Sequence, residues 1–236
     1  MRRLFAILIA VTVSLATGFA VYRAPTSRLA ALPLSVTTAT GTGDTLAVVY
    51  SGDGGWAEID RGVTAGLARG GVPSVGYDSL RYFWTRRTPH AAAGDLALVL
   101  RRYLRVWGKQ KVILAGYSFG AGALPSIVAE LPADLRARVR TVALVSAERE
   151  GRMEFHPASW LGMRSGDAFP LADRIAGLKG LPSVCIYGAK DLHAACGRFA
   201  PGLTRTVRLA GGHHFDGDYA QVSRAILAAA GVQPVS

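Results

Sequence analysis

The stretch KVILAGYSFGAGALPSIVAEL, residues 111–131, decides how the rest of the chain is read. KVILAG is a short apolar run rich in β-branched residues, the pattern of a strand buried on both faces. FGAGALPSIVAEL reads as a helix, and only Gly116-Tyr117-Ser118-Phe119-Gly120 lies between the two. A strand that turns at once into a helix forces the corner residue into a strained conformation, and small residues on either side permit it. The G-x-S-x-G pattern alone is weak in a chain with 28 glycines. Its placement between a strand and a helix makes Ser118 the candidate nucleophile.

A serine hydroxyl is a poor nucleophile until a base takes its proton, and the base needs an acid group to orient it. On a sheet of this kind the expected order is serine, then an acid after a later strand, then histidine after the last strand. Asp191 follows the strand-like SVCIYG (183–188), with only Ala189 and Lys190 between. GGHHF (211–215) follows TRTVRLA (204–210) and holds two of the chain's five histidines, His213 and His214. Neighbouring loop residues project in different directions, so one of the two is expected to act. His214 is the expected base, immediately ahead of Phe215. The other could pack or hydrogen-bond beside it.

The flanking pattern supports an α/β fold: a mostly parallel sheet with helices on both faces and an antiparallel N-terminal edge. Strands are expected at 34–40, 45–52, 72–78, 111–116, 138–146, 183–188 and 204–210. Helices are expected at 56–71, 89–108, 119–131 and 218–231. The turn-rich Gly41 to Asp44 suggests that the first two strands form a hairpin. Residues 147–180 are less regular, and such long connections often cover a site.

A tetrahedral intermediate needs donors for its oxyanion. The backbone N–H of Phe119 is one candidate. The second is that of Asp53, in Ser51-Gly52-Asp53-Gly54-Gly55 after an early strand. These glycines lack a following G-K-[ST] and the G-x-G-x-x-G spacing, so a phosphate cradle is not expected. No HExxH accompanies GGHHF, and the two cysteines lie eleven apart without a CxxC, so neither a metal site nor another cofactor is expected.

Residues 1–20 carry Arg2 and Arg3 before an apolar run and small residues at Gly18-Phe19-Ala20, an export signal that is either cleaved or kept as a membrane anchor. Residues 21–33 read as a linker and 34–236 as one domain. Export to an oxidising compartment favours a bond between Cys185 and Cys196, the only cysteines. The net charge of +11 is spread over scattered arginines rather than one run. That argues against direct nucleic-acid binding and for attraction to an anionic membrane surface.

SGDGGW (51–56), GVPSVGYDSLRYFWTRRTP (71–89), GYSFGA (116–121), EFHPASWLG (154–162), CIYGAKD (185–191) and GGHHFDGDY (211–219) resemble the bacterial virulence protein VirJ family. The same domain forms the carboxyl-terminal part of the AcvB proteins, within the α/β-hydrolase superfamily. The resemblance implies a periplasmic serine hydrolase without cofactor, acting on aminoacyl-phosphatidylglycerol such as the lysyl form. It also implies secretion-system proteins as partners, and a non-catalytic adaptor or chaperone is the alternative reading. The loop YDSLRYFWTRRTP mixes aromatics with arginines, so Tyr82, Trp84 and Arg81 are candidates for contact with a lipid. The alternative for these aromatics is packing of the loop onto the core.

Overall fold

The computed structural model describes residues 28–157, 166–178 and 180–233. The expected export signal and residues 21–27 of the linker therefore lie outside the described residues. Leu34–Ser236 forms one compact unit. In chain order its elements are β1 (Leu34–Thr37), β2 (Thr45–Tyr50), α1 (Glu58–Arg69), β3 (Ser74–Tyr77) and α2 (Ser79–Tyr82), then α3 (Pro89–Val106) and β4 (Lys111–Tyr117). There follow α4 (Phe119–Ala129), α5 (Ala133–Arg136), β5 (Val139–Val145), β6 (Glu150–Gly151) and β7 (Phe169–Pro170). The chain closes with α6 (Leu171–Ala176), β8 (Ser183–Gly188), β9 (Arg205–Leu209) and α7 (Tyr219–Ala229).

Seven strands form one sheet in the order β1-β3-β2-β4-β5-β8-β9, all parallel except β1. Every residue of β2 is buried, as is all of β4 except Lys111, which suits strands with neighbours on both sides and helices on both faces. The expected hairpin between the first two strands does not form. β1 pairs with β3, Leu34 opposite Tyr77 and Thr37 opposite Ser74, while β2 lies between β3 and β4. The burial explains the choice. Uniformly buried β2, apolar apart from Thr45, belongs inside the sheet, whereas β1 is only partly buried and tolerates an edge.

Local chemistry sets the helix starts. Thr88 Oγ1 accepts the Ala91 N–H at 3.1 Å ahead of α3, with Pro89 in its first turn, and Asp218 does the same for Gln221 ahead of α7. At α1 the cap is Asp60, whose Oδ2 accepts the Ala57 N–H at 2.9 Å. The residue is only 1% exposed, and its other oxygen has no hydrogen-bond partner. Burial pushes its pKa up to about 7, against the opposing pull of the backbone bond from Ala57.

That shift makes stability depend on pH. Between the unfolded value near 4 and about 7, the folded chain binds a proton that the unfolded chain releases, so stability falls as pH rises through this window. The full effect is on the order of 4 kcal/mol. Urea titrations at pH 5 and pH 8 should show about 2.6 kcal/mol of this loss in the wild type. Asp60→Asn, which keeps the acceptor for Ala57 and cannot ionise, should largely remove it.

Candidate active site

Ser118 stands between the end of β4 and the start of α4 with φ 49° and ψ −112°, a conformation costly for a residue with a side chain. Its N–H bonds the Val145 carbonyl at 2.9 Å, which ties the corner to β5. The two glycines of the motif are needed for close approach. A Cβ on Gly116 would stand 2.5 Å from the Gly120 backbone, and one on Gly120 would stand 2.5 Å from the Tyr50 carbonyl oxygen. The helix therefore starts directly against the end of β2. Its positive end lies beside the serine, where developing negative charge is favoured.

Asp191 lies three residues beyond β8, and its side chain is fully buried. Its Oδ1 accepts the N–H groups of His193 and Ala194, each at 3.1 Å. Its Oδ2 lies 2.8 Å from His213 Nδ1. Burial pushes the carboxyl pKa up, but the hydrogen bond and charge of His213, the His193 N–H and the Ser146 hydroxyl outweigh it and hold the group below its ordinary value. An ionised Asp191 only accepts, so His213 Nδ1 carries the proton and Nε2 offers its lone pair. Ser118 Oγ is 3.1 Å from that nitrogen and donates to it. Acid, imidazole and hydroxyl thus form one continuous chain of hydrogen bonds.

The expectation for His214 is corrected here: His213 occupies the position between Ser118 and Asp191. Phe215 is buried in the core and the chain turns at His214 into a short 3-10 helix, so the residue two before the Phe faces the serine. The His213 carbonyl is held from below by Ser146 Oγ at 3.2 Å and Tyr117 Oη at 3.4 Å. His214 is exposed, with Nδ1 3.0 Å from Tyr117 Oη. Burial raises the Tyr117 pKa, as do the nearby carboxylates, so the phenol stays protonated, with one proton to share between that ring and the His213 carbonyl.

Phe119 follows Ser118 directly, and Asp53 lies in the turn beside it. Phe119 opens α4, where an N–H has no intrahelical acceptor, whereas the Gly120 N–H bonds the Ser51 carbonyl at 3.2 Å. Residues 52–55 form a tight turn closed by Gly55 N–H to Gly52 O at 3.3 Å, with Asp53 at its tip. A Cβ on Gly52 would stand 3.6 Å from Ser118 Cβ, so this turn lies directly against Ser118. Ser51 Oγ accepts the Ser79 N–H at 2.9 Å and couples the turn to the loop after β3.

That loop divides the three residues expected to meet a lipid. Tyr82 is only 1% exposed and donates its hydroxyl to Asp95 Oδ2 at 2.8 Å, so it is a core residue and not a contact for substrate. Packing wins because its ring meets Tyr77 and Phe83 edge-on. Trp84 is 59% exposed and stacks on Phe155 with ring centroids 5.6 Å apart. Arg81 is exposed, and its backbone N–H is capped by Asp78 Oδ1 at 3.1 Å.

Ser146 and Tyr117 were not singled out from the sequence. Both support His213 through hydroxyls, and a serine after a strand or a tyrosine beside a motif carries no signal of its own.

The family model described as bacterial virulence protein (VirJ) matches residues 44–233. The chain belongs to the VirJ family. No curated protein matches the sequence. Among solved structures, Est1E from Butyrivibrio proteoclasticus is similar at 12% identity and TM-score 0.56, over 82% of this chain and 90% of that one. A putative dienelactone hydrolase from Klebsiella pneumoniae is similar at 14% identity and TM-score 0.57, over 86% of this chain and 100% of that one. An alpha-beta serine hydrolase homologue from Coxiella burnetii is similar at 15% identity and TM-score 0.55, over 83% and 89%. The family member therefore has the α/β-hydrolase fold.

Cys185 and Cys196 form a disulfide with Cα atoms 5.4 Å apart, and the eleven-residue separation spans Asp191. Closing a loop of this size stabilises by roughly 3 kcal/mol in the chain-entropy model. Replacing both cysteines with alanine should lower the unfolding free energy by about that amount in urea titrations. The oxidised wild-type chain should weigh about 2 Da less by mass spectrometry than its reduced form.

Proposed function

We propose that this chain is an exported serine hydrolase that cleaves an aminoacyl ester of phosphatidylglycerol through Ser118, His213 and Asp191. The observation that carries the hydrolase reading is the unbroken hydrogen-bond chain from Asp191 through His213 to Ser118. The resemblance of the sequence motifs to the VirJ and AcvB proteins supports the substrate.

In the first step Ser118 Oγ attacks the ester carbonyl while His213 Nε2 takes its proton. The carbonyl oxygen becomes an oxyanion, met by the Phe119 N–H and that of Asp53. Collapse breaks the bond to the glycerol oxygen, which leaves with the proton from His213, and the aminoacyl group remains on Ser118. Water then attacks this second ester with His213 again as base, freeing the amino acid and restoring the hydroxyl. Asp191 stays ionised throughout and stabilises the imidazolium formed in each half.

The same reading places the site at a membrane. Trp84 and Leu192, which is 80% exposed, are two of the four large hydrophobic residues exposed among the described residues, and both follow carboxyl ends of sheet strands. Exposed Arg81 and Arg86 flank Trp84, which suits contact with anionic headgroups. The disulfide supports an oxidising compartment, consistent with the periplasm.

Purified protein incubated with lysyl-phosphatidylglycerol should release lysine. Ser118→Ala and His213→Ala should each lower kcat by about 10⁴-fold or more, whereas His214→Ala should retain most activity. No release by the wild type would exclude this substrate. A failure of Ser118 to react with a fluorophosphonate would exclude the serine mechanism.

Membrane contact has its own readout in sedimentation with phosphatidylglycerol vesicles. The pair Trp84→Ser and Leu192→Ser should weaken binding, and raised salt should weaken it further. Wild-type and paired-variant proteins sedimenting equally would remove this face from the proposal.

A further inference from the structure

Four residues other than glycine take a positive φ among the described residues: Ser118 at 49°, Ser146 at 48°, Phe215 at 54° and Asp216 at 51°. Three have an evident reason. Ser118 stands at the strand-to-helix corner, and Phe215 and Asp216 turn the loop that presents His213. Ser146 is the fourth, and no step of the ester cleavage uses it. Its conformation costs free energy for any residue with a Cβ, whereas glycine adopts it freely, as Gly55, Gly71 and Gly108 do in this fold. A strained serine kept where glycine would be relaxed points to a need for the hydroxyl.

Ser146 follows β5 directly and is fully buried, so its hydroxyl must be satisfied by protein groups. Its N–H bonds the Ile186 carbonyl at 2.7 Å, on β8 ahead of Asp191. The next residue, Ala147, accepts the Ala195 N–H at 2.7 Å, beyond Asp191. Ser146 and Ala147 are therefore fastened to both ends of the segment that carries the acid. The Ser146 Oγ lies 3.2 Å from the His213 carbonyl oxygen. It also reaches the Asp191 carboxylate, and that bond helps hold the carboxyl below its ordinary value. A hydroxyl has one proton to give, so the two acceptors share it. One buried atom thus joins the acid's side chain to the base's backbone.

We propose that Ser146 is a positioning residue whose hydroxyl fixes the Asp191 carboxylate relative to His213. The inference rests on the hydrolase reading of Ser118, His213 and Asp191. Held in line, the carboxylate keeps the proton on His213 Nδ1 and leaves Nε2 facing the Ser118 hydroxyl. Without the hydroxyl, the acid and histidine loops lose their shared tie, and the imidazole spends more time in the tautomer with its proton on Nε2. That tautomer cannot accept from Ser118. Ser146 touches no reacting atom and acts only through Asp191 and His213.

Two variants separate the hydroxyl from the backbone. Ser146→Ala and Ser146→Gly both lose the hydroxyl, but alanine keeps the strain and glycine relieves it. By circular dichroism the glycine variant should melt no lower than the alanine variant. Against 4-nitrophenyl acetate, both should nevertheless lose roughly tenfold or more in kcat, with KM changed by less than about twofold. Nitrogen NMR of the full-length chain, with His213 assigned by its loss in His213→Ala, reads the tautomer directly. The wild type should carry its proton on Nδ1, and both variants should show a raised share on Nε2.

Wild-type kcat in Ser146→Gly would overturn the proposal, because relief of the backbone would then suffice without the hydroxyl. A wild-type tautomer ratio in both variants would overturn it equally. A wild type that neither cleaves the ester nor reacts with a fluorophosphonate fails the hydrolase reading instead, and the tautomer ratio still decides whether Ser146 aligns Asp191 with His213.

Discussion

The approach of Gly120 to the end of β2 is the constraint on which the rest of the site depends. Its N–H bonds the Ser51 carbonyl at 3.2 Å, and no side chain fits between the two backbones. This contact seats the first turn of α4 on the sheet and holds Ser118 in its strained conformation. It also places the serine beside the turn that follows β2. A single backbone contact therefore sets Ser118, the helix end behind it and the neighbouring 52–55 turn together.

The remaining parts reach this point by extending the sheet in one direction. β5 supports the corner through the Val145 carbonyl, and β8 delivers Asp191 a few residues past its end. β9 delivers His213, and Ser146 reaches across from the end of β5 to hold its carbonyl. Gly188 completes the assembly: a Cβ there would stand 2.1 Å from the Gly212 carbonyl oxygen, so the histidine loop can lie directly on the end of β8. On the other flank, β3 contributes the loop that carries Trp84, tied back to the core through Tyr82 and Asp95.

Much of this was legible because the decisive residues sit at junctions between elements. The strand-to-helix corner is written in Gly116 and Gly120, and Asp191 and the histidine pair stand just beyond apolar runs. What was not legible depends on three-dimensional direction. Which of His213 and His214 faces Ser118 follows from Phe215 turning into the core, and adjacent positions in a sequence do not encode that turn. The partner of β1 was misread because turn-forming residues suggest a hairpin without saying whether another strand intervenes. Tyr82 looked available among aromatics and arginines, yet an acid thirteen residues away on α3 claims its hydroxyl.

His213 hangs from the outermost strand of the sheet. Among the described residues β9 pairs only with β8, and all of its side chains are exposed or partly so, Arg205 and Arg208 among them. Those charges discourage another chain from adding to the edge. The same exposure leaves β9 with fewer buried contacts than the inner strands, so local opening there costs less than unfolding the domain. The histidine lies 95 residues from the serine it serves, and its place is kept by this edge. Peeling of one strand would thus silence the hydroxyl while β2, β4 and β5 stay packed, separating loss of the site from loss of the fold.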